Sequence, residues 1–325
     1  MTEEAPPIVH VQRGDEDGDS GIGDIDSASE SDNTSVRSET KDYVEENGRL
    51  YHADWIDGKY LLPNDEREQR RLDSQHDFLF DSNSLHKAPL QGLLSVLDVG
   101  TGTGRWAMAF ADAYLDAEVT AVDISPNLMP IWPPTNCKFL VDDAEHIGGI
   151  GNKEYNYVHV RLLHGFRNPA RFFRHAWEAL LPGGYIEITE FELPLQFHDP
   201  EKARDSALMT WSANVIEGAS RLGIDLTIAE KISTLLKDGG FEDIEESISA
   251  WPIGAWPKKH ERKELGVRLQ EYWMETLAAF AWRPLREMDW HNEETQCLLA
   301  KMRTEICGKN IRASMHVRTF WARKP

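Results

Sequence analysis

Cysteine is scarce: Cys137, Cys297 and Cys307 are all the chain has in 325 residues. No two of them form a C-x-x-C pair and the count is odd, which excludes a zinc ribbon and a disulfide framework and fits a reducing, intracellular setting. Long apolar runs are missing as well. None approaches the ~18 residues of a membrane span, and the polar, acidic start is unlike a signal peptide, so the chain reads as soluble, with no targeting address. Positive charge is the third shortage, with 35 Lys and Arg against 55 Asp and Glu and a net charge of −20. Phosphate backbones are held by clustered Lys and Arg, so direct nucleic-acid binding is not expected.

The negative charge that is present is unevenly spread. Residues 1–46 hold 14 Asp or Glu against three basic residues, a net of −11. A stretch such as "GDEDGDSGIGDIDSASESDNTS" has little to bury and much like charge, so residues 1–42 are expected to be a disordered acidic tail. It reads either as a solubilising tail or as a regulatory arm, in which Ser27 and Ser29, each with an acid three residues on, suit an acid-directed kinase. Residues 43–92 change character, with Tyr43, Tyr51, His52, Trp55 and Tyr60 ahead of Pro63. Asp65 is placed as an N-cap, and residues 66–80 carry Leu72, Gln75, His76 and Leu79 at helical spacing, so this is expected to be an ordered helical segment.

From residue 93 to the end, strand and helix patterns alternate. Candidate strands are 93–99, 117–123, 137–143, 155–162 and 184–190, with "RWAMAFADAYL" and "PARFFRHAWEALL" as intervening helices and "PGG" as a stop. A sixth strand falls near 243–250, and a seventh in "ASMHVRTFWARKP". Strands and helices at this spacing imply right-handed βαβ units and a doubly wound, mostly parallel α/β sheet covered on both faces. Between the last two strands, residues 258–306 form a long helical insertion with Leu265, Leu269, Tyr272, Trp273, Leu277 and Phe280 on one face. The stripe reads as core, and the insertion is placed where a cap over a ligand cleft can sit.

The densest signal is "VLDVGTGTG", residues 96–104. In a doubly wound sheet ligands bind outside the carboxyl ends of the strands, and this loop follows the first strand of the sheet. Gly100, Gly102 and Gly104, with Thr101 and Thr103 between them, bare the backbone, and the helix starting at Arg105 offers free N–H groups. A P-loop needs a Lys-Ser or Lys-Thr pair after the glycines, and a dinucleotide fingerprint needs glycine at position 105; neither is present. Asp98, two residues before the first glycine, fits a cationic ligand, and S-adenosylmethionine carries an ammonium and a sulfonium. Asp123, at the end of the second strand and 19 residues past Gly104, is suited to both ribose hydroxyls. In "VDDAE", Asp143 and Ala144 can bracket an adenine; the alternative there is a solvated acidic turn.

At "VLDVGTGTG", "AVDIS", "DDAE" and "LLPGGYIEITE" the chain resembles class I S-adenosylmethionine-dependent methyltransferases. At "ENGRLYHADWIDGKYLLPNDEREQRRLDSQH" and "GFEDIEESISAWPIGAWP" it is similar to the LaeA-like methyltransferases of filamentous fungi, over residues 43–325. The resemblance implies a seven-stranded Rossmann-like methyltransferase sheet, S-adenosylmethionine as cofactor, and a place in secondary metabolism as pathway enzyme or as regulator, some family members acting with velvet or related proteins. It carries Gly100, Gly102, Gly104 and Asp123 over as cofactor residues, together with Asp143 and Ala144. Tyr51 and His52 are set over the cofactor by the same analogy. Arg105 stands where the family usually has Ile, and residues 146–156 replace a Trp-containing turn.

No catalytic base is fixed by the pattern and no metal site is expected. His164, after the fourth strand, and Glu190, at the end of the fifth, are the candidate bases. The reading is therefore a methyltransferase acting on an oxygen or nitrogen of a small molecule or peptide, with a LaeA-like regulator working in a protein complex as the alternative. A nicotinamide enzyme is a third reading that Arg105 disfavours. Cytoplasm or nucleus is the expected location.

Overall fold

The computed structural model describes residues 43–52, 61–80, 84–92, 95–145 and 154–325. The acidic tail, with Ser27 and Ser29, lies outside them. The segment expected to be helical begins instead with a β-hairpin, β1 (Tyr43–Glu46) against β2 (Arg49–His52), turning at Asn47 and Gly48, both at positive φ. Asn and Gly are the residues that tolerate such a turn. The expected helix α1 (Glu66–Leu79) follows, and Asp65 caps it by accepting from the Glu68 N–H at 2.9 Å.

The main sheet has seven strands in the order β5-β4-β3-β6-β7-β9-β8. The strands β3 (Ser95–Val99), β4 (Glu118–Asp123), β5 (Cys137–Val141), β6 (Tyr155–Arg161) and β7 (Leu180–Phe197) pair in parallel. β9 (Ala313–Arg323) inserts antiparallel between β7 and β8 (Glu242–Ile253). Helices α2 (Arg105–Ala113) and α3 (Pro169–Ala179) make the crossovers, as their apolar faces require. The chain winds outward from β3 to β4 on one side and β6 lies on the other, so the strand order reverses at the end of β3, which is where doubly wound sheets hold ligands.

Two cores cover the parallel strands, one around Trp106, Phe110 and Tyr157 and the other around Phe172, Phe173 and Ile188. A third, the largest, joins β7 to β9 to α4 (Ala207–Arg221) and to the insertion, which resolves into α5 (His260–Ala279), α6 (Trp282–Glu287) and α7 (Asn292–Cys307). Leu269, Tyr272, Trp273, Leu277 and Phe280 are buried there as the stripe predicted. Among the described residues, no helix is long and apolar enough to cross a membrane, and no group of His, Cys, Asp and Glu is arranged to hold a metal ion.

One buried acid ties the segment before the glycine loop to this sheet. Glu187, inside β7, accepts the backbone N–H groups of Lys87 and Ala88 at 2.7 and 2.8 Å. Burial pushes its carboxyl up to about 7 from an ordinary 4.5. The folded state then keeps a proton that the unfolded chain gives up between these values, so its contribution is complete below pH 4.5 and is lost as pH rises towards 7, by about 3 kcal/mol at most. Thermal melts across that range should show wild-type stability falling relative to Glu187→Gln. Parallel pH curves for the two proteins would contradict this.

Candidate functional site

The glycine loop is built by hydrogen bonds that the sequence leaves little room to vary. The N–H groups of Gly100 and Thr101 both donate to the Val122 carbonyl, at 2.9 and 3.0 Å, which turns the chain across the end of β4. Gly102 and Gly104 are at φ +58° and +76°, conformations that side chains rarely adopt. A Cβ on Gly104 would lie 2.5 Å from the Phe139 ring, and one on Gly102 would lie 3.3 Å from Leu72 of α1. The loop therefore needs glycine for its turn and for what packs on it.

Gly100, Gly102, Asp123, Asp143 and Ala144 line one cleft, of about 970 Å³ counted out to its open mouth, at the carboxyl edge of β3, β4 and β5. Five of the eight candidate cofactor residues are thus brought together. Asp123 is half-buried, and its two oxygens accept the N–H groups of Gly102 at 2.7 Å and Ser125 at 2.8 Å. Burial raises its pKa against the lowering effect of those bonds. The carboxylate also lines the cleft, where it can offer acceptor capacity to a ligand hydroxyl. Asp143 closes a tight turn by accepting from the Glu145 N–H at 2.9 Å. Glu145 in turn accepts from the N–H groups of Arg167 and Asn168, tying the end of β5 to the loop after β6.

The other candidates sit elsewhere. Asp98 is 2% exposed and turned beneath the loop, where it accepts from Thr101 Oγ1 at 2.6 Å and pairs with His159 Nδ1 at 2.7 Å. The His159 ring is stacked 3.7 Å from Trp106. Asp98 and Thr101 therefore spend their polar atoms on each other and on holding the turn, and neither lines the cleft. Gly104 shapes the start of α2 without lining it.

Tyr51 is fully buried under the Arg283 guanidinium, 4.1 Å from its ring centre, and not over the cleft. Its hydroxyl is pushed up to about 12 by burial. The hairpin faces the insertion, where Glu46 pairs with Arg283 and Arg286. The His52 side chain lies outside the described residues.

The sequence assigned a cover to Tyr51 and His52 and to residues 258–306; of the residues ahead of the glycine loop, Leu62, and Leu72 of α1, line the cleft. Arg105 pairs with Asp77 of α1 at 2.7 Å, and Thr103 donates to Asp73 at 2.7 Å. The residue that departs from the family pattern thus fastens α1 over the loop. The insertion lines no part of this cleft and buttresses α1 from behind, through Gln75 to Tyr272 at 3.1 Å and through the Arg67–Glu275 ion pair.

Of the two candidate bases, His164 falls in a short helical turn, Leu163–Gly165, and its side chain is outside the described residues. Glu190 is 1% exposed, and its oxygens accept from the Leu163 and Phe191 N–H groups. Its carboxylate thereby braces the neighbouring Leu162, which is held at φ +64° with its N–H on the Thr189 carbonyl. A leucine at positive φ is strained, and such strain persists where surrounding structure enforces it. The sequence reading also passed over Arg161, which lines the cleft. A charge ending the apolar run "YVHV" at the ligand-binding edge of the sheet was the available signal.

A family model described as a methyltransferase domain matches residues 64–246. The chain is 31% identical over 298 residues to methyltransferase pytC of Aspergillus terreus, covering 90% of this chain and 91% of that one. It is 32% identical over 307 residues to the protein-methionine methyltransferase laeA of Emericella nidulans, covering 90% of this chain and 79% of the relative. Phosphoethanolamine N-methyltransferase 2 of Haemonchus contortus, solved with S-adenosyl-L-methionine, superposes with a TM-score of 0.45 at 19% identity, over 79% of this chain and 52% of its own.

Proposed function

The chain belongs to the S-adenosylmethionine-dependent methyltransferases and, within them, to the LaeA-like proteins of fungal secondary metabolism, and from that premise we propose that it methylates an oxygen or nitrogen of a small molecule or peptide. S-adenosylmethionine is its methyl donor, and when bound it supplies a methyl group already activated on a sulfonium. The single observation that carries the site assignment is Asp123, a half-buried carboxylate opening on the same cleft as the bare turn at Gly100 and Gly102 and the turn at Asp143 and Ala144. Asp123 would hold the ribose hydroxyls, and Asp143 and Ala144 would bracket the adenine. Leu62 and Leu72 would shield the bound group from water. Transfer to an acceptor whose reacting atom is already anionic needs positioning more than a base, which agrees with Glu190 being committed to the backbone.

Calorimetry with S-adenosylmethionine and with NAD tests the cleft: S-adenosylmethionine should bind and NAD should not, and tighter binding of NAD would sink the assignment. A second reading has support from the laeA relative, whose name gives methionine in protein as its target. On that reading the chain regulates metabolite clusters in a complex with a velvet-type partner, in the cytoplasm or nucleus. Metabolite profiles of a deletion strain separate the two. One missing methylated compound supports the pathway enzyme, and many silenced clusters support the regulator.

A further inference from the structure

Arg161 ends β6 and lines the cleft beside Gly100 and Leu162. Among the described residues its guanidinium makes no hydrogen bond or ion pair, and Nη1 is shut off from solvent without an acceptor. The nearby acids are committed elsewhere. Asp98 serves Thr101 and His159, and Asp73 serves Thr103. Within reach of the guanidinium no acid among the described residues is hydrogen-bonded or ion-paired to it. The Phe80 ring is 5.9 Å from the guanidinium carbon, and beside that ring stands His76, whose Nδ1 also lacks a partner. Burial, and then Arg161 itself, push His76 down to about 3, so the imidazole is neutral at ordinary pH. Burial also lowers the pKa of Arg161.

A partly buried guanidinium with a solvent-shielded nitrogen and no hydrogen-bonded acid is costly, and a site that maintains one is suited to a ligand that brings the missing partner. The planar fork of a guanidinium matches a carboxylate or a phosphate. Four carboxylates, Asp123, Asp142, Asp143 and Glu145, line the same cleft, and Arg167, also on its wall, is already engaged. Against that acidic lining a singly charged carboxylate meets less repulsion than a doubly charged phosphate, and Arg161 is the cation placed to pair with it.

We propose that Arg161 is the carboxylate seat of this cleft, receiving either the α-carboxylate of the cofactor or an acid group on the methyl acceptor. The assignment rests on the cofactor reading above. Calorimetry on the full chain compares wild type, Arg161→Gln and Arg161→Lys, using S-adenosylhomocysteine and 5′-methylthioadenosine, which keeps the adenosine and sulfur but has no amino-acid carboxylate. Losing a charge-assisted pair should weaken S-adenosylhomocysteine by about thirtyfold in Arg161→Gln and leave methylthioadenosine unchanged, with Arg161→Lys between, if the seat takes the cofactor.

If both ligands bind the variants as they bind wild type, the protein saturated with S-adenosylhomocysteine is titrated with benzoate. Binding by wild type and not by Arg161→Gln then assigns the seat to the acceptor. Equal loss of both nucleosides in Arg161→Gln, or no difference between the proteins in any titration, overturns the proposal. A melting temperature of Arg161→Gln at or above wild type is expected, because the unpaired charge opposes folding; a clear drop would indicate a structural role instead. Wild-type protein that binds neither nucleoside fails the cofactor reading itself and takes this proposal with it.

Discussion

Asp123→Ala should weaken S-adenosylhomocysteine binding by about 150-fold or more and leave the melting temperature within a few degrees of wild type. The carboxylate performs two tasks with the same two oxygens. It fixes the turn by accepting from Gly102 and Ser125, and it presents acceptors to the cleft. Hydrogen bonds to a charged group contribute roughly 1.5 to 3 kcal/mol each, so losing a ribose pair alone accounts for about 3 kcal/mol of affinity, before any loosening of the loop. Stability is affected less, because Asp123 stands at the cleft wall, where water can replace it on the two freed N–H groups.

Asp123→Asn is the finer test. One of its atoms becomes an NH₂ that cannot accept from either N–H, so it should recover only part of the affinity. Binding should also fall in acid. With the pKa raised by burial, the acceptor form is lost at a higher pH than for an ordinary aspartate. Unchanged calorimetric affinity in Asp123→Ala would remove this residue from the site.

How much of this was legible beforehand depended on the kind of signal. The strands β3 to β6 announce themselves as short apolar runs, whereas β7 continues through Pro182, Gly183 and Gly184, which read in sequence as a stop; the glycine loop and Asp123 follow from what a doubly wound sheet does at its edge. Position along the chain does not fix facing, however. In a parallel strand covered on both sides, residues of both faces are buried, so nothing in "VLDVG" tells that Asp98 turns inward to His159 and not outward to a ligand. The hairpin at 43–52 was hidden because two four-residue strands carry too little alternation to outweigh the long helical pattern after them.

The antiparallel entry of β9 between β7 and β8 is a matter of long-range pairing that no local window contains. Buried charges were the hardest to find. Glu68 and Arg71 look in sequence like solvated surface residues, and only the packing of α1 against α5 and the hairpin shows them to be shielded.

That shielding makes Glu68→Ala the substitution expected to cost most stability. Glu68 and Arg71 are 2% and 3% exposed, bonded through Arg71 Nε at 3.0 Å and Nη2 at 2.6 Å, and Arg49 approaches the same carboxylate at 3.7 Å while pairing with Asp65 at 2.6 Å. Assembling such a pair contributes little net stability, since desolvation of both ions offsets their attraction. Removing one member leaves a buried cation and costs about 3 to 5 kcal/mol. For a chain of this size the melting temperature should drop by roughly 6 to 15 °C.

The exposed Arg67–Glu275 pair on the same helix is the control, and Arg67→Ala should cost under about 1 kcal/mol. Because α1 carries Leu72, Asp73 and Asp77 onto the glycine loop, Glu68→Ala should also weaken S-adenosylhomocysteine without touching it. Replacing both partners, Glu68→Leu with Arg71→Met, should recover most of the stability and much of the affinity. Equal melting temperatures for Glu68→Ala and Arg67→Ala would mean that α1 is held to the sheet by its apolar contacts alone.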